Sequence, residues 1–189
     1  MEQKLPRLVI AGTNSGCGKT TVTCAVLQAL VNRGLRVAAA KCGPDYIDPM
    51  FHSRIIGAKS ANLDPFFFDE PTLRYLLAQN AASCAVTIIE GVMGYYDGLG
   101  LTTTRASTWE TAQKTASPTV LVINARGAAL SVLAAVQGFL QFQPHSRIRG
   151  VILNGCTAMS YAPLAKELEA RFGVKACGYL PRLPACTLE

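Results

Sequence analysis

Short apolar runs rich in β-branched residues alternate along this chain with stretches of helical period. Six runs read as strands: 7–11, 36–41, 85–90, 119–124, 150–154 and 175–179. Between the first two, 20–33 carries apolar residues at Val22, Val26, Ala29 and Leu30, and Gly34 follows as a helix stop. Leu73, Leu76 and Leu77 mark a second helix, and Ser107-Thr108-Trp109-Glu110 reads as a capping box opening a third. A fourth covers 131–142. The fifth, 160–172, puts Leu164, Leu168 and Phe172 on one stripe, with Gly173 as its stop. Strand–helix alternation implies right-handed crossovers and a mostly parallel sheet covered by helices on both faces, a three-layer α/β sandwich. Ligands gather at the carboxyl ends of the strands in such a sheet. The polar motifs of this chain fall there.

Composition narrows the picture. At 189 residues, half of them apolar and 16% charged, the chain suits one domain with a sizeable core, and nothing in it suggests a linker or a repeat. No segment reaches the ~18 uninterrupted apolar residues of a membrane span. The longest apolar stretch, 128–140, is broken by Ser131, Gln137 and Gly138 and reads as a buried helix. The N-terminal residues run straight into a strand without a signal-peptide core, so a cytoplasmic location is expected. The seven cysteines (17, 24, 42, 84, 156, 177 and 186) include no C-x-x-C pair, which speaks against a disulfide framework or a zinc site. The net charge is +6, but the basic residues are scattered. Small anions, a nucleotide and a polycarboxylate substrate, account for that charge as well as nucleic acid does; no nucleic-acid and no membrane partner is expected.

Residues 12–18, Gly-Thr-Asn-Ser-Gly-Cys-Gly, form a loop after the first strand, and Lys19-Thr20-Thr21 opens a helix. Small residues here (Thr13, Asn14, Ser15, Gly16, Cys17, Gly18) let backbone N–H groups point inward around a phosphate. Lys19 reaches the β/γ oxygens, the Thr20 hydroxyl can ligate Mg²⁺, and Thr21 continues the helix start. The fit to G-x-x-x-x-G-K-[ST] has one departure, Thr13 in place of the first glycine with Gly12 just before it. Asn14 fills the slot where partition-type ATPases carry a second lysine. The loop makes the fold a P-loop NTPase type and its ligand a nucleoside triphosphate, ATP with Mg²⁺.

Two further strand ends carry charge. The second runs into Lys41-Cys42-Gly43-Pro44-Asp45-Tyr46-Ile47-Asp48-Pro49. A lysine followed by two carboxylates three residues apart suits Mg²⁺·ATP and a reacting group, and suits an Asx-turn loop equally well. The third ends in Glu90, the position of a Walker B carboxylate, followed by a glycine-flanked loop holding Asp97, either a substrate-side group or a turn aspartate. Three successive aromatics, Phe66-Phe67-Phe68, suit core or subunit interface better than a ligand box, and a homodimer is entertained on that ground. His52 and His145 are single. His52, just past Asp48, is a candidate to line the substrate pocket. Asn154, at the end of the fifth strand, could read the adenine edge, with 178–181 walling the base, and either suits turn chemistry equally well.

These stretches, with Asn62-Leu63-Asp64 and Glu90-Gly91-Val92-Met93-Gly94-Tyr95-Tyr96-Asp97-Gly98, resemble the N-terminal synthetase domain of cobyrinate a,c-diamide synthases. The likeness runs from about residue 7 to the end, and Lys-x-Gly-Pro-Asp-Tyr-x-Asp is its sharpest part. The resemblance implies ATP-dependent amidation of the a and c acetate carboxylates of a corrin ring in cobalamin biosynthesis, through acyl phosphates. The substrate would be a cobyrinate-like corrinoid polycarboxylate, with ammonia delivered by a C-terminal glutaminase domain that this chain lacks. By that analogy Lys19 and Lys41 hold phosphates, Thr20 and Glu90 hold Mg²⁺, and Asp45, Asp48 and Asp97 position metal, substrate carboxylate or intermediate, Asp45 among the metal ligands. The chain departs from the family pattern at Asn124, where Asp is usual, and at Gly155-Cys156, where a basic residue is usual. Alternatives of the same or a neighbouring class are an amidoligase acting on hydrogenobyrinate or a nickel-sirohydrochlorin, and a partition-type ATPase switch.

Overall fold

A computed structural model of the chain describes residues 5–183; residues 1–4 and Cys186 lie outside them. Seven strands, β1 (Arg7–Gly12), β2 (Val37–Cys42), β3 (Lys59–Leu63), β4 (Val86–Glu90), β5 (Thr119–Asn124), β6 (Ile148–Asn154) and β7 (Lys175–Leu180), make one sheet in the order β3-β2-β4-β1-β5-β6-β7. Every pairing is parallel. The six helices are α1 (Lys19–Asn32), α2 (Ile47–Arg54), α3 (Glu70–Ala81), α4 (Thr108–Lys114), α5 (Ser131–Gln141) and α6 (Ala158–Phe172).

Apolar residues follow one another without a break in the central strands because both faces of the sheet are covered. The side-chain period of two still sorts them. Val9, Ala11, Ile89 and Leu121 pack with Leu73 and Leu77 of α3 and Ala112 of α4 on one face. Ile10, Ile88 and Val122 pack with Val22 and Leu27 of α1 on the other. The three-layer sandwich expected from the alternation is therefore present, with β1 at its centre and the carboxyl ends of β1, β2 and β4 side by side.

Two elements escape the periodicity. The edge strand β3, Lys-Ser-Ala-Asn-Leu, has no β-branched residue and buries only Leu63 fully. Helix α2 turns its polar side inward: His52 is buried and Asp48 largely so, while Ile47, Met50 and Phe51 stand at the surface. An apolar stripe is the signal that reveals a helix, and here it faces the wrong way for that signal. The stretch that looked like a Gly/Pro loop through Asp48 is thus a turn ending at Tyr46 and then a helix. The Phe66-Phe67-Phe68 cluster is exposed, with Phe66 and Phe67 edge-to-face at 4.9 Å, which removes the core reading for it.

Candidate nucleotide and carboxylate site

The loop between β1 and α1 curls over the end of the sheet. Gly12, not Thr13, is where a side chain is forbidden, because a Cβ there would strike Cys17 Sγ and lie 2.7 Å from the Lys19 stem. The missing first glycine of the motif therefore costs the loop nothing. Thr13 anchors it instead, through its backbone N–H to Val122 O (3.1 Å) and its hydroxyl to Asn14 Oδ1 (2.9 Å). Asn14, Ser15 and Gly16 are exposed, Cys17 is buried, and Gly18 caps α1 in the left-handed region at φ 98°. Gly18 has no room for a Cβ either, because the Asn154 side chain occupies that space. Asn154 Nδ2 donates to Cys17 O at 2.9 Å, so this residue from β6 braces the loop from beneath.

Lys19 is buried and folds back so that Nζ donates to Asn14 O (3.1 Å). Burial depresses its pKa, with Lys41 pushing the same way and Cys17, Glu90 and Asp97 opposing. An ammonium held at such a cost is poised to gain from an incoming anion.

Beside the loop, three elements meet on one carboxylate. Glu90, fully buried at the end of β4, accepts from Thr20 Oγ1 at 2.7 Å and from Lys41 Nζ at 3.0 Å, both on Oε1. Lys41, at the end of β2, also donates to Asp48 Oδ2 at 2.5 Å and lies 3.9 Å from Asp45 Oδ2. Burial alone would push Glu90 up, but His52, Lys41 and Thr20 outweigh it and hold the carboxyl below its ordinary range. Burial likewise works against Lys41, yet Glu90 and Asp48 leave its pKa raised. Asp48 is raised, first by burial and then by the neighbouring Glu90 charge, against the pull of Lys41.

The two aspartates of the motif have separated roles. Asp45 is partly exposed and its Oδ1 accepts from Ile47 N (2.9 Å), the Asx-turn geometry, which starts α2. Asp48 points inward from the first turn of α2. Asn62 Nδ2 donates to Gly43 O (2.8 Å) and Asp45 O (2.5 Å) and so fixes the turn from β3. Asp97 behaves as a turn aspartate, its Oδ2 accepting from Gly94 N at 2.8 Å, while it lines a cavity of about 550 Å³ with Met93, Gly98 and Leu101.

Thr20 Oγ1 and Glu90 Oε1 are hard oxygens at the mouth of the loop, and that pair fits Mg²⁺, which keeps several waters and phosphate oxygens and needs few protein ligands. Among the described residues no cluster of three His, Cys, Asp or Glu side chains forms a closed metal cage. Burial pushes the Cys24 thiol up to about 11 and Cys42 up to about 12, which leaves neither as a thiolate near neutral pH.

A second opening, about 420 Å³, runs from Gly16, Lys19 and Thr21 past Asn124, Arg126 and Asn154 to Leu180, Pro181 and Arg182. Leu180 and Pro181 stand where a base wall was expected. Tyr179 instead packs on Tyr161, with ring centroids 4.9 Å apart. Sequence reasoning missed Arg126, whose only signal is its place two residues past the end of β5. His52, a candidate to line the substrate pocket, is instead fully buried against Glu90.

The chain is similar to known proteins over nearly all of its length. Over 187 residues it is 43% identical to the cobyrinate a,c-diamide synthase of Thermoplasma volcanium, a match that takes in 98% of this chain and 41% of that protein. The hydrogenobyrinate a,c-diamide synthase of Streptomyces coelicolor is 41% identical over 178 residues, 94% of this chain and 37% of the relative. The chain thus spans about two fifths of the curated relatives' length. Among solved structures, chloroplast FtsY from Physcomitrella patens superposes with a TM-score of 0.65 at 14% identity, covering 93% of this chain and 58% of the other, a likeness of fold. The family model for the CobQ/CobB/MinD/ParA nucleotide binding domain matches residues 8–187, and the chain belongs to that family.

Proposed function

We propose that this chain is the ATP-dependent synthetase part of a corrinoid a,c-diamide synthase, converting two acetate carboxylates of a cobyrinate-type ring to amides. The observation that carries the reading is the arrangement around Lys41. One buried ammonium at the phosphate loop is surrounded by three carboxylates, Asp45 and Asp48 from the stretch that follows it and Glu90 from the end of β4. A plain nucleotide switch needs one such carboxylate for its metal; three, one of them partly open to solvent, suit a site that must also align a second, carboxylate-bearing substrate.

In this reading the backbone of 13–18 and Lys19 hold the β- and γ-phosphates, with Thr20 and Glu90 as the Mg²⁺ ligands. Mg²⁺, when bound, neutralises charge on the phosphate oxygens. Lys41 leaves its carboxylate partners for the γ-phosphate. A substrate carboxylate attacks that phosphorus, ADP departs, and ammonia then displaces phosphate from the acyl phosphate. Asp45 and Asp97 orient the incoming carboxylate and ammonia, and catalysis is alignment plus charge neutralisation. Ammonia from a glutaminase unit, a cytoplasmic setting and a homodimer through the exposed Phe66 and Phe67 belong to the same proposal. Among the described residues, no helix is long and apolar enough to cross a membrane.

A second substrate has equal support, since the hydrogenobyrinate enzyme is nearly as similar as the cobyrinate one. Asn14 in the slot of the signature lysine argues against the partition-type switch. The deciding experiment incubates the protein with Mg²⁺·ATP, ammonia and either cobyrinate or hydrogenobyrinate, and seeks mono- and diamides by mass spectrometry. No amide from either ring, together with no substrate-stimulated ADP release, overturns the proposal.

A further inference from the structure

Glu90 uses only half of its carboxylate in the contacts described so far. Oε1 takes both Thr20 and Lys41; Oε2 is buried and has no formed hydrogen bond. Facing it at 3.2 Å is His52 Nε2, equally buried and equally without a formed hydrogen bond, as is Nδ1 of the same ring. Buried polar atoms are nearly always satisfied. Two orphaned atoms at hydrogen-bonding distance are therefore a pair that a small tilt of the ring completes.

The setting says what the pair would do. His52 lies one turn after Asp48 on α2, so the two side chains share a face. Helix α2 packs on β2, β3 and α1 and presents both groups to the strand ends, Asp48 to Lys41 and His52 to Glu90. The charged group facing the imidazole is Glu90, with Lys41, Asp48 and Cys24 of α1 gathered around that carboxylate. The terminal torsion of a glutamate is broad and two-fold. With Oε2 unheld, only the two contacts to Oε1 resist that rotation, and both Thr20 and Lys41 are groups that an arriving nucleotide and its metal draw away.

We infer that His52 is the positioning residue of the metal site: its Nε2–H holds Glu90 Oε2, fixing the carboxylate so that Oε1 faces Thr20 and the Mg²⁺ of a bound nucleotide. The inference rests on the nucleotide-and-metal part of the reading above and is independent of the macrocycle. A histidine that only fills space in the core makes a different prediction, because any side chain of similar volume would then serve.

The test is ATP binding by calorimetry across a series of MgCl₂ concentrations, with EDTA as the metal-free reference, for wild type, His52→Leu, His52→Asn and His52→Gln. A glutamine places its amide nitrogen about where Nε2 lies, whereas asparagine is too short to reach Glu90. Loss of such an outer partner lowers metal affinity by about 10–100-fold in other metal sites. His52→Leu and His52→Asn should accordingly raise the half-saturating Mg²⁺ concentration at least tenfold on that scale, leave ATP affinity in EDTA unchanged, and differ from His52→Gln, which stays close to wild type. Should His52→Leu fail to fold, the Asn/Gln contrast decides. A common Mg²⁺ dependence for wild type, Asn and Gln overturns the inference, and so does equal impairment of Asn and Gln alongside equal losses of melting temperature. A wild-type protein whose ATP binding ignores Mg²⁺ removes the metal part of the reading above, and one that binds no ATP at all removes the nucleotide part, each a distinct result.

Discussion

Replacing Lys41 by methionine keeps the length of the side chain and deletes the ammonium from between two carboxylates. Its Nζ lies 3.0 Å from Glu90 Oε1 and 2.5 Å from Asp48 Oδ2. At an effective dielectric near 20, each contact is about 5–7 kcal/mol of attraction. Deletion also recovers the cost of burying the lysine, and the carboxylates relax, so the net loss expected from breaking such a pair is about 3–5 kcal/mol. That is a large part of the roughly 5–15 kcal/mol that holds a domain together. The pH dependence separates this cause from simple packing damage. In the wild type Glu90 is held below its ordinary 4.5, so its contribution to stability is present above that pH and lost as the pH falls through the folded-state value. Without Lys41, only His52 and Thr20 oppose burial, so Glu90 moves up from its wild-type value, as burial already raises Asp48. The penalty in the variant is then full at neutral pH and is relieved on acidification through the raised pKa, so the two stability curves converge toward acid pH. Urea unfolding followed by Trp109 fluorescence and far-UV circular dichroism, near neutrality and near the carboxylate range, reads this directly. A loss under about 1 kcal/mol at neutral pH, the scale of an exposed ion pair, would refute the reasoning, as would a loss that stays constant with pH. Adding Glu90→Gln to the variant should restore part of the stability, since contacting charges are coupled.

Asp45→Asn and Asp97→Asn should each cut turnover by roughly a hundredfold, the scale of a misplaced polar group at a reacting centre, while calorimetry finds ATP binding nearly unchanged; a loss of affinity as deep as that of Lys19→Ala contradicts their substrate-side roles. Asn154→Ala removes the donor to Cys17 O, worth about 1 kcal/mol or some fivefold in affinity if the loop must be ordered to bind. Unchanged ATP affinity would show that the loop holds its shape without that brace. Ser107 caps α4 through its hydroxyl to Glu110 N at 3.2 Å, so Ser107→Ala should cost about 1 kcal/mol, a fall of roughly 2–4 °C in melting temperature for a chain of this size.

What could be read from the sequence, and what could not, divides along one physical line. The strands carrying the site were legible because β1, β4 and β5 are apolar runs that end abruptly in polar residues, and the capping box at Ser107 was legible because it is local chemistry. Even there the structure differs by one residue, since Glu110 Oε2 takes Ala106 N rather than the N–H of the cap. Helix α2 and strand β3 were not legible, because reading a helix or a strand assumes that the apolar side is the buried side. In α2 the buried side holds Asp48 and His52, and the apolar residues face out. The error had a functional consequence: as a loop, Asp45 and Asp48 are equivalent carboxylates three residues apart, whereas the helix gives one of them a turn and half-exposure and turns the other onto Lys41. Local pattern and tertiary structure disagree most where a polar group must be buried for a purpose. An inward-facing aspartate and histidine on one short helix, opposite a buried lysine and glutamate, are costly to assemble unless something arrives to use those charges, and the neighbouring phosphate loop states which kind of ligand that is.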